Sequence, residues 1–265
     1  MTIEYKRIMT NAGLAEPKAS DPSLFSTRVI LCPMCLGPIH PHYEYCYHCR
    51  RAIQGSYSHL LPDNISFLTY AGATDQSRLD FYNYKAITNQ QIPNPGLLRL
   101  QALVKDFVDR HAKCMANLAH LPVDLVAVVP SGKTVRFTEN SAINKLLGLT
   151  NTHIIQRKTA RKDGSRDDGI DPSRYNIVQN LTGQHVLLFE DTWVTGANPL
   201  SSAVALKQAG AQYVSLIVLG RYIAPANYPI HAQWLSENRI VPYDVNFCPV
   251  TRSYQCPSAF RPVLE

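Results

Sequence analysis

Hydrophobic and polar positions divide the chain into alternating extended and helical stretches. Ile65-Ser66-Phe67-Leu68-Thr69-Tyr70 reads as an extended run followed by a Gly-containing turn. After Asn94-Pro95-Gly96 the period changes, and Leu97, Leu100, Val104, Phe107, Val108 and His111 track one face of a helix ending near Met115. On that face His111 reads as a core or boundary histidine. Asp124-Leu125-Val126-Ala127-Val128-Val129 reads as a buried strand, and Ala142, Ile143, Leu146 and Leu147 mark the helix after it. His153-Ile154-Ile155 is a second short strand, and Val186-Leu187-Leu188-Phe189 is apolar enough to be buried on both faces. Leu200, Ala203, Val204, Leu206 and Ala209 form a helical face closed by Gly210, and Tyr213 to Arg221 is another buried strand. Strands alternating with helices predict an α/β fold with a mainly parallel sheet, whose ligands sit at the carboxyl ends of its strands.

Chemistry gathers at three of those ends. Glu190-Asp191 follows the apolar run Val186–Phe189 and leads into Thr192-Trp193-Val194-Thr195-Gly196-Ala197-Asn198-Pro199. Asn198 suits an N-cap and Pro199 a first helical residue, so Thr195-Gly196-Ala197 would present backbone N–H groups and a helix dipole together. Such a corner binds phosphate. Carboxylates beside it make sense when the ligand carries ribose hydroxyls or a magnesium ion next to its phosphate, as a sugar phosphate does. The second end is Pro130-Ser131-Gly132-Lys133, a loop with a hydroxyl, a glycine and a cation that is equally readable as an ordinary turn. The third is the charged, Gly-containing run from Gln156 to Gly169, which holds Arg157, Lys158, Arg161 and Lys162 and reads as a mobile surface loop. A solvated linker or a nucleic-acid patch would have a similar composition.

Cysteine usage changes the picture at the amino end. Cys32-x-x-Cys35 and Cys46-x-x-Cys49 are separated by ten residues, a spacing at which four thiolates meet tetrahedrally around zinc. So short a segment has no core of its own, and metal binding would supply its folding energy. His40, His42 and His48 are substitute ligands at most, because four thiolates already fill a site. Cys248 and Cys256 lack knuckle spacing and read as isolated thiols. The net charge of +6 favours anionic ligands without singling out nucleic acid. No apolar run reaches membrane-spanning length and the first residues lack a signal-peptide pattern, which leads to the expectation of a cytoplasmic protein.

Val186 to Asn198 resembles the motif by which type I phosphoribosyltransferases bind 5-phosphoribosyl pyrophosphate (PRPP). Both have four hydrophobic residues, an acidic pair, three variable positions, then Thr-Gly and two small residues. Asn198 stands where Thr or Ser is usual. The order of cysteine knuckles, short strand and the aromatic cluster Leu79-Asp80-Phe81-Tyr82-Asn83-Tyr84-Lys85 resembles the ComF family, which joins a zinc ribbon to a transferase-type domain.

The resemblance implies a type I phosphoribosyltransferase-like sheet with a small N-terminal zinc ribbon. It divides the chain into an arm (1–26), the ribbon (27–55), the transferase-like domain (60–225) and a C-terminal covering segment (226–265). It implies Mg-PRPP as ligand, structural zinc on Cys32, Cys35, Cys46 and Cys49, and a base or amine as acceptor. Asp191 and Glu190 would hold the ribose hydroxyls, with Asp191 the acid–base candidate, while Lys158 and Arg161 act at the pyrophosphate. Thr192, Trp193, Val194, Thr195, Gly196, Ala197 and Asn198 would hold the 5′-phosphate. Ser131, Gly132, Lys133 and Arg157 would face the pyrophosphate, and Arg174 would steady the loop or the phosphate site. A homodimer, or a protein or nucleic-acid partner on the ribbon, fits the same frame. The rival from another class is a non-catalytic PRPP, nucleotide or DNA-uptake accessory protein that uses the ribbon for docking.

Overall fold

The computed structural model describes residues 6–7, 29–72, 76–84, 95–130, 142–148, 154–158, 169–226, 228–237 and 242–256. Its centre is a sheet of β4 (Asn64–Ala71), β5 (Leu125–Val128), β8 (His185–Trp193) and β9 (Tyr213–Tyr222), with the two-residue strand β1 (Lys6–Arg7) added at one edge. The order is β1-β4-β9-β8-β5, in which β4, β9, β8 and β5 run parallel and β1 is antiparallel. The expected mainly parallel sheet flanked by helices is therefore present. Within the predicted arm, Lys6 and Arg7 pair with Tyr70 and Thr69.

β9 is buried along all but its end residues and β8 from His185 to Phe189, because both faces of the sheet are covered there. One face packs on α5 (Ala197–Gln208), on α6 (Pro229–Glu237) and on the cysteine-rich segment formed by β2 (Ile30–Leu31), β3 (Pro38–Ile39) and α1 (Tyr47–Gln54). The opposite face packs on α2 (Gln76–Asn83), α3 (Pro95–Ala119), α4 (Ala142–Leu147) and residues 243–256. Leu31, Cys32, Cys35 and Cys49 share one hydrophobic cluster with Leu188 and Val218 of the sheet, so the cysteine-rich segment is built into the core. Trp234 of α6 tilts against Tyr70 at 4.6 Å between rings, and the Tyr70 hydroxyl donates to the Leu36 carbonyl at 2.9 Å.

Periodicity along α3 places Leu100, Leu103, Val104, Phe107, His111, Cys114 and Met115 inward. Val108, expected on that face, is 46% exposed, because its place one residue past Phe107 turns it about 100° away. Truncating the fully buried Phe107 to alanine would cost about 3–5 kcal/mol. Asp80 of α2 is buried and takes two hydrogen bonds from Arg99 of α3, at 2.7 and 2.5 Å, which fixes one helix on the other.

Two expected strands fall elsewhere. The second short strand is β6 (Ile155–Arg157), which leaves the main sheet and pairs antiparallel with β7 (Tyr175–Ile177). The acidic strand continues past Phe189 to Trp193, since β9 pairs with it as far as Trp193 opposite Arg221. No helix among the described residues is long and apolar enough to cross a membrane.

Candidate active site and metal centres

Register creates a notch at the carboxyl edge of the sheet. β5 stops pairing at Val128 opposite Phe189, whereas β9 continues, so Glu190 to Trp193 have a strand neighbour on one side only. Side chains alternate along a strand. Val186 and Leu188 join the cluster under α5, and Leu187 and Phe189 join the one under α3, so the alternation carries Glu190 toward the first face and Asp191 toward the second. The pair therefore diverges. Asp191 Oδ2 accepts a hydrogen bond from the Tyr84 hydroxyl, at the end of α2. Burial first, then the Asp191 charge, hold that phenol well above its usual range, so Tyr84 remains a donor at neutral pH. Tyr84 was legible only as part of an aromatic cluster, because its partner lies 107 positions away.

Beyond Trp193 the chain turns into α5. The helix starts earlier than Asn198 and Pro199 suggest: its N-cap is Gly196 in the left-handed conformation at φ 89°, and the helix runs from Ala197. A Cβ at Gly196 would collide with the Trp193 indole, which is buried beneath the turn and stacks edge-on to Phe67 at 5.5 Å. Trp193 thus shapes the turn from inside, and the Thr195 hydroxyl accepts from the Ala197 amide at 3.4 Å. The first N–H groups of α5 have no intrahelical acceptor, as a phosphate cradle needs. Asn198 lies inside the helix, and its Oδ1 accepts from Arg157 and from Tyr175, each at 3.4 Å.

Arg157 is accordingly no loop cation. It is a residue of β6, 5% exposed, with its guanidinium 5.7 Å from the Tyr175 ring centre. A three-residue strand at the start of a charged run has too short a pattern to stand out from it. Lys158 follows it and is exposed, while its amide donates to the Arg174 carbonyl at 2.8 Å and extends the β6–β7 pairing by one bond. Arg174 itself reaches Asp171 at 3.1 Å. Ser131, Gly132, Lys133, Arg161 and Lys162 lie outside the described residues. A cleft of about 190 Å³ opens between α1 and the turn, lined by His48, Arg51, Tyr57, Ile170 and Thr195. It has room for a phosphate-sized group, and Arg51, not anticipated from sequence, brings a cation to it.

The four cysteines of the knuckles meet close by, since Cys49 shares α1 with His48 and Arg51 of the cleft. The Cys35 and Cys46 sulfurs are 3.7 Å apart, close to the ~3.8 Å edge of a tetrahedron with zinc–sulfur bonds of ~2.3 Å. Cys35 is held well below the usual thiol range, chiefly by the Cys32 thiol and further by the Arg221 charge, while Cys46 and Cys49 are pushed up and keep their protons. A dication would replace those shared protons. The set could hold a metal ion and suits structural zinc.

Arg221 connects this centre to the turn. Its buried guanidinium donates to the carbonyls of Cys35 at 2.9 Å and Trp193 at 3.2 Å, and also to those of Val194 and Tyr222. Gly37 makes the room, since a Cβ there would overlap the guanidinium.

A second cluster corrects the reading of Cys248 and Cys256 as isolated. These two meet His111 and Cys114 of α3, and the four ligand atoms lie within 4.8 Å of one another. This set too could hold a metal. Its two halves, His111 with Cys114 and Cys248 with Cys256, lie too far apart along the chain for spacing to join them.

No family model, curated protein or solved structure matches this chain. Its chemistry follows from the geometry.

Proposed function

We propose that the protein is a phosphoribosyltransferase that takes Mg-PRPP and a base or amine acceptor and releases pyrophosphate. The observation that carries the reading is the acidic pair at the notched end of β8, followed directly by the glycine turn at the start of α5. Carboxylates placed before a helix N-terminus match a ligand whose ribose hydroxyls adjoin its phosphate. Glu190 and Asp191 would take the ribose hydroxyls, and the 194–198 backbone with the Thr195 hydroxyl would take the 5′-phosphate. Lys158, with Lys133 and Arg161, would face the pyrophosphate. Magnesium carried by PRPP would neutralise the leaving group. The protein's own share is positioning and charge compensation in an oxocarbenium-like transition state. ComF-type proteins fit this reading, with structural zinc in the knuckles.

The Tyr84 hydroxyl on Asp191 favours a second reading, a PRPP or nucleotide binder that does not turn over, because one carboxylate oxygen is already engaged. Calorimetry with Mg-PRPP and pyrophosphate release against a panel of bases and amines separates the two. For the enzyme, Asp191→Asn should weaken Mg-PRPP binding about tenfold or more and stop turnover, and Tyr84→Phe should alter turnover more than affinity. Tight Mg-PRPP binding with no release from any acceptor favours the binder, and no PRPP binding by the wild-type protein refutes both.

A further inference from the structure

We propose that His111, Cys114, Cys248 and Cys256 form a second structural zinc site, which staples the C-terminal segment to α3. Elements far apart in sequence bring the donors together. His111 and Cys114 are three residues apart on the inward face of α3. Cys248 sits in a tight turn, where its amide donates to the Ser253 carbonyl at 2.8 Å, and Cys256 follows the turn. The Tyr243 hydroxyl donates to Asp106 at 2.7 Å, so the same segment is docked on α3 independently of the cluster.

Distances match a tetrahedron on two edges. The Cys248 and Cys114 sulfurs are 3.8 Å apart, and His111 Nδ1 is 3.6 Å from the Cys256 sulfur. Zinc with bonds of ~2.3 Å to sulfur and ~2.05 Å to nitrogen has edges of about 3.8 and 3.6 Å. Cys114 and Cys256 approach to 2.7 Å, longer than the ~2.05 Å of a disulfide, and an ion between them would open that edge.

The ordinary alternative is a core histidine among buried thiols. His185 shows what that looks like in this protein, with Nδ1 3.1 Å from the Leu121 carbonyl and Nε2 2.9 Å from the Ser215 hydroxyl. His111 has neither kind of partner. Its Nδ1 faces sulfur, and its buried Nε2 has no hydrogen-bond partner among the described residues. Three thiols and an imidazole, with no solvent-facing coordination position needed, form a closed set that selects zinc.

The test is metal analysis of the full chain purified under reducing conditions. Wild type should carry two zinc ions, both released on mercurial titration of the thiols. Cys248→Ser with Cys256→Ser should keep one and expose residues 242–256 to protease, whereas Cys256→His alone, which keeps a donor at that position, should retain two. Cobalt substitution of wild type gives a readout independent of any variant, in which the absorption should contain a component from three thiolates and one imidazole beside a component from four thiolates. A single zinc in wild type, abolished by Cys46→Ser with Cys49→Ser, overturns the proposal. So does intact mass showing a Cys114–Cys256 disulfide in the reduced preparation with only one zinc bound.

Discussion

The two cysteine clusters have the same kind of donors and opposite architectures. The knuckles draw all four sulfurs from the eighteen residues between Cys32 and Cys49, while the second set joins positions as much as 145 apart. By loop-closure entropy, the longer connection costs about 2 kcal/mol more to close in the unfolded chain. The knuckles can therefore gather their donors before the rest of the chain folds, whereas the second cluster can assemble only after α3 and the C-terminal segment have docked. A metal in the first would help make its surroundings; a metal in the second would lock surroundings already made.

Breaking the first cluster should have the largest effect. Cys46→Ser with Cys49→Ser should cost about 5–10 kcal/mol, close to the whole stability of a domain, because the knuckles share their core with Leu188 and Val218. Urea unfolding followed by circular dichroism reads this. A variant that lost zinc yet kept the wild-type midpoint would show the segment to be an independent appendage.

Arg221→Met should come next, at about 3 kcal/mol, since it strands buried carbonyls that a charged donor satisfied. It should also weaken Mg-PRPP binding while the knuckles keep their metal. Equal affinity in calorimetry would detach the centre from the turn. Cys248→Ser should cost about 2–4 kcal/mol, the size of a long cross-link, and the midpoint should shift without any change in PRPP affinity.

Arg252→Ala should be the mildest. Arg252 lies in the turn between Cys248 and Cys256 and donates to the carbonyl of Pro33, beside Cys32, at 2.9 Å, and to that of Ile65 at 3.2 Å. Losing those bonds should cost about 1 kcal/mol, and zinc release from the knuckles, followed with a chelating dye, should become slightly faster. An unchanged release rate would mean that the two clusters act separately.

What the sequence made legible was local. Hydrophobic period located β4, α3, β5, β8, α5 and β9, and paired x-x spacing located the knuckles, because in each case the residues that interact are near neighbours in the chain. Asn198 misled because its cap chemistry was sound, but the Trp193 indole beneath the turn required a glycine at position 196 and moved the helix start. Arg157 was hidden because a buried arginine beside a tyrosine looks like an exposed one in a charged run. Tyr84, Arg221 and the second cluster went unread for one reason. The partners that join them across the fold lie 27 to 186 positions away, and only the tertiary packing relates them.

The guanidinium of Arg221 also bears on how such a chain can change over generations. One side chain ties the Cys35 carbonyl to those of Trp193 and Val194, and it fits only because position 37 carries no Cβ. A knuckle segment borrowed from another protein would have to bring both an open carbonyl and a glycine at those places, or leave a charge walled in without partners. The two halves of the molecule are thus not interchangeable parts: an alanine at position 37 should be felt at the glycine turn that opens α5.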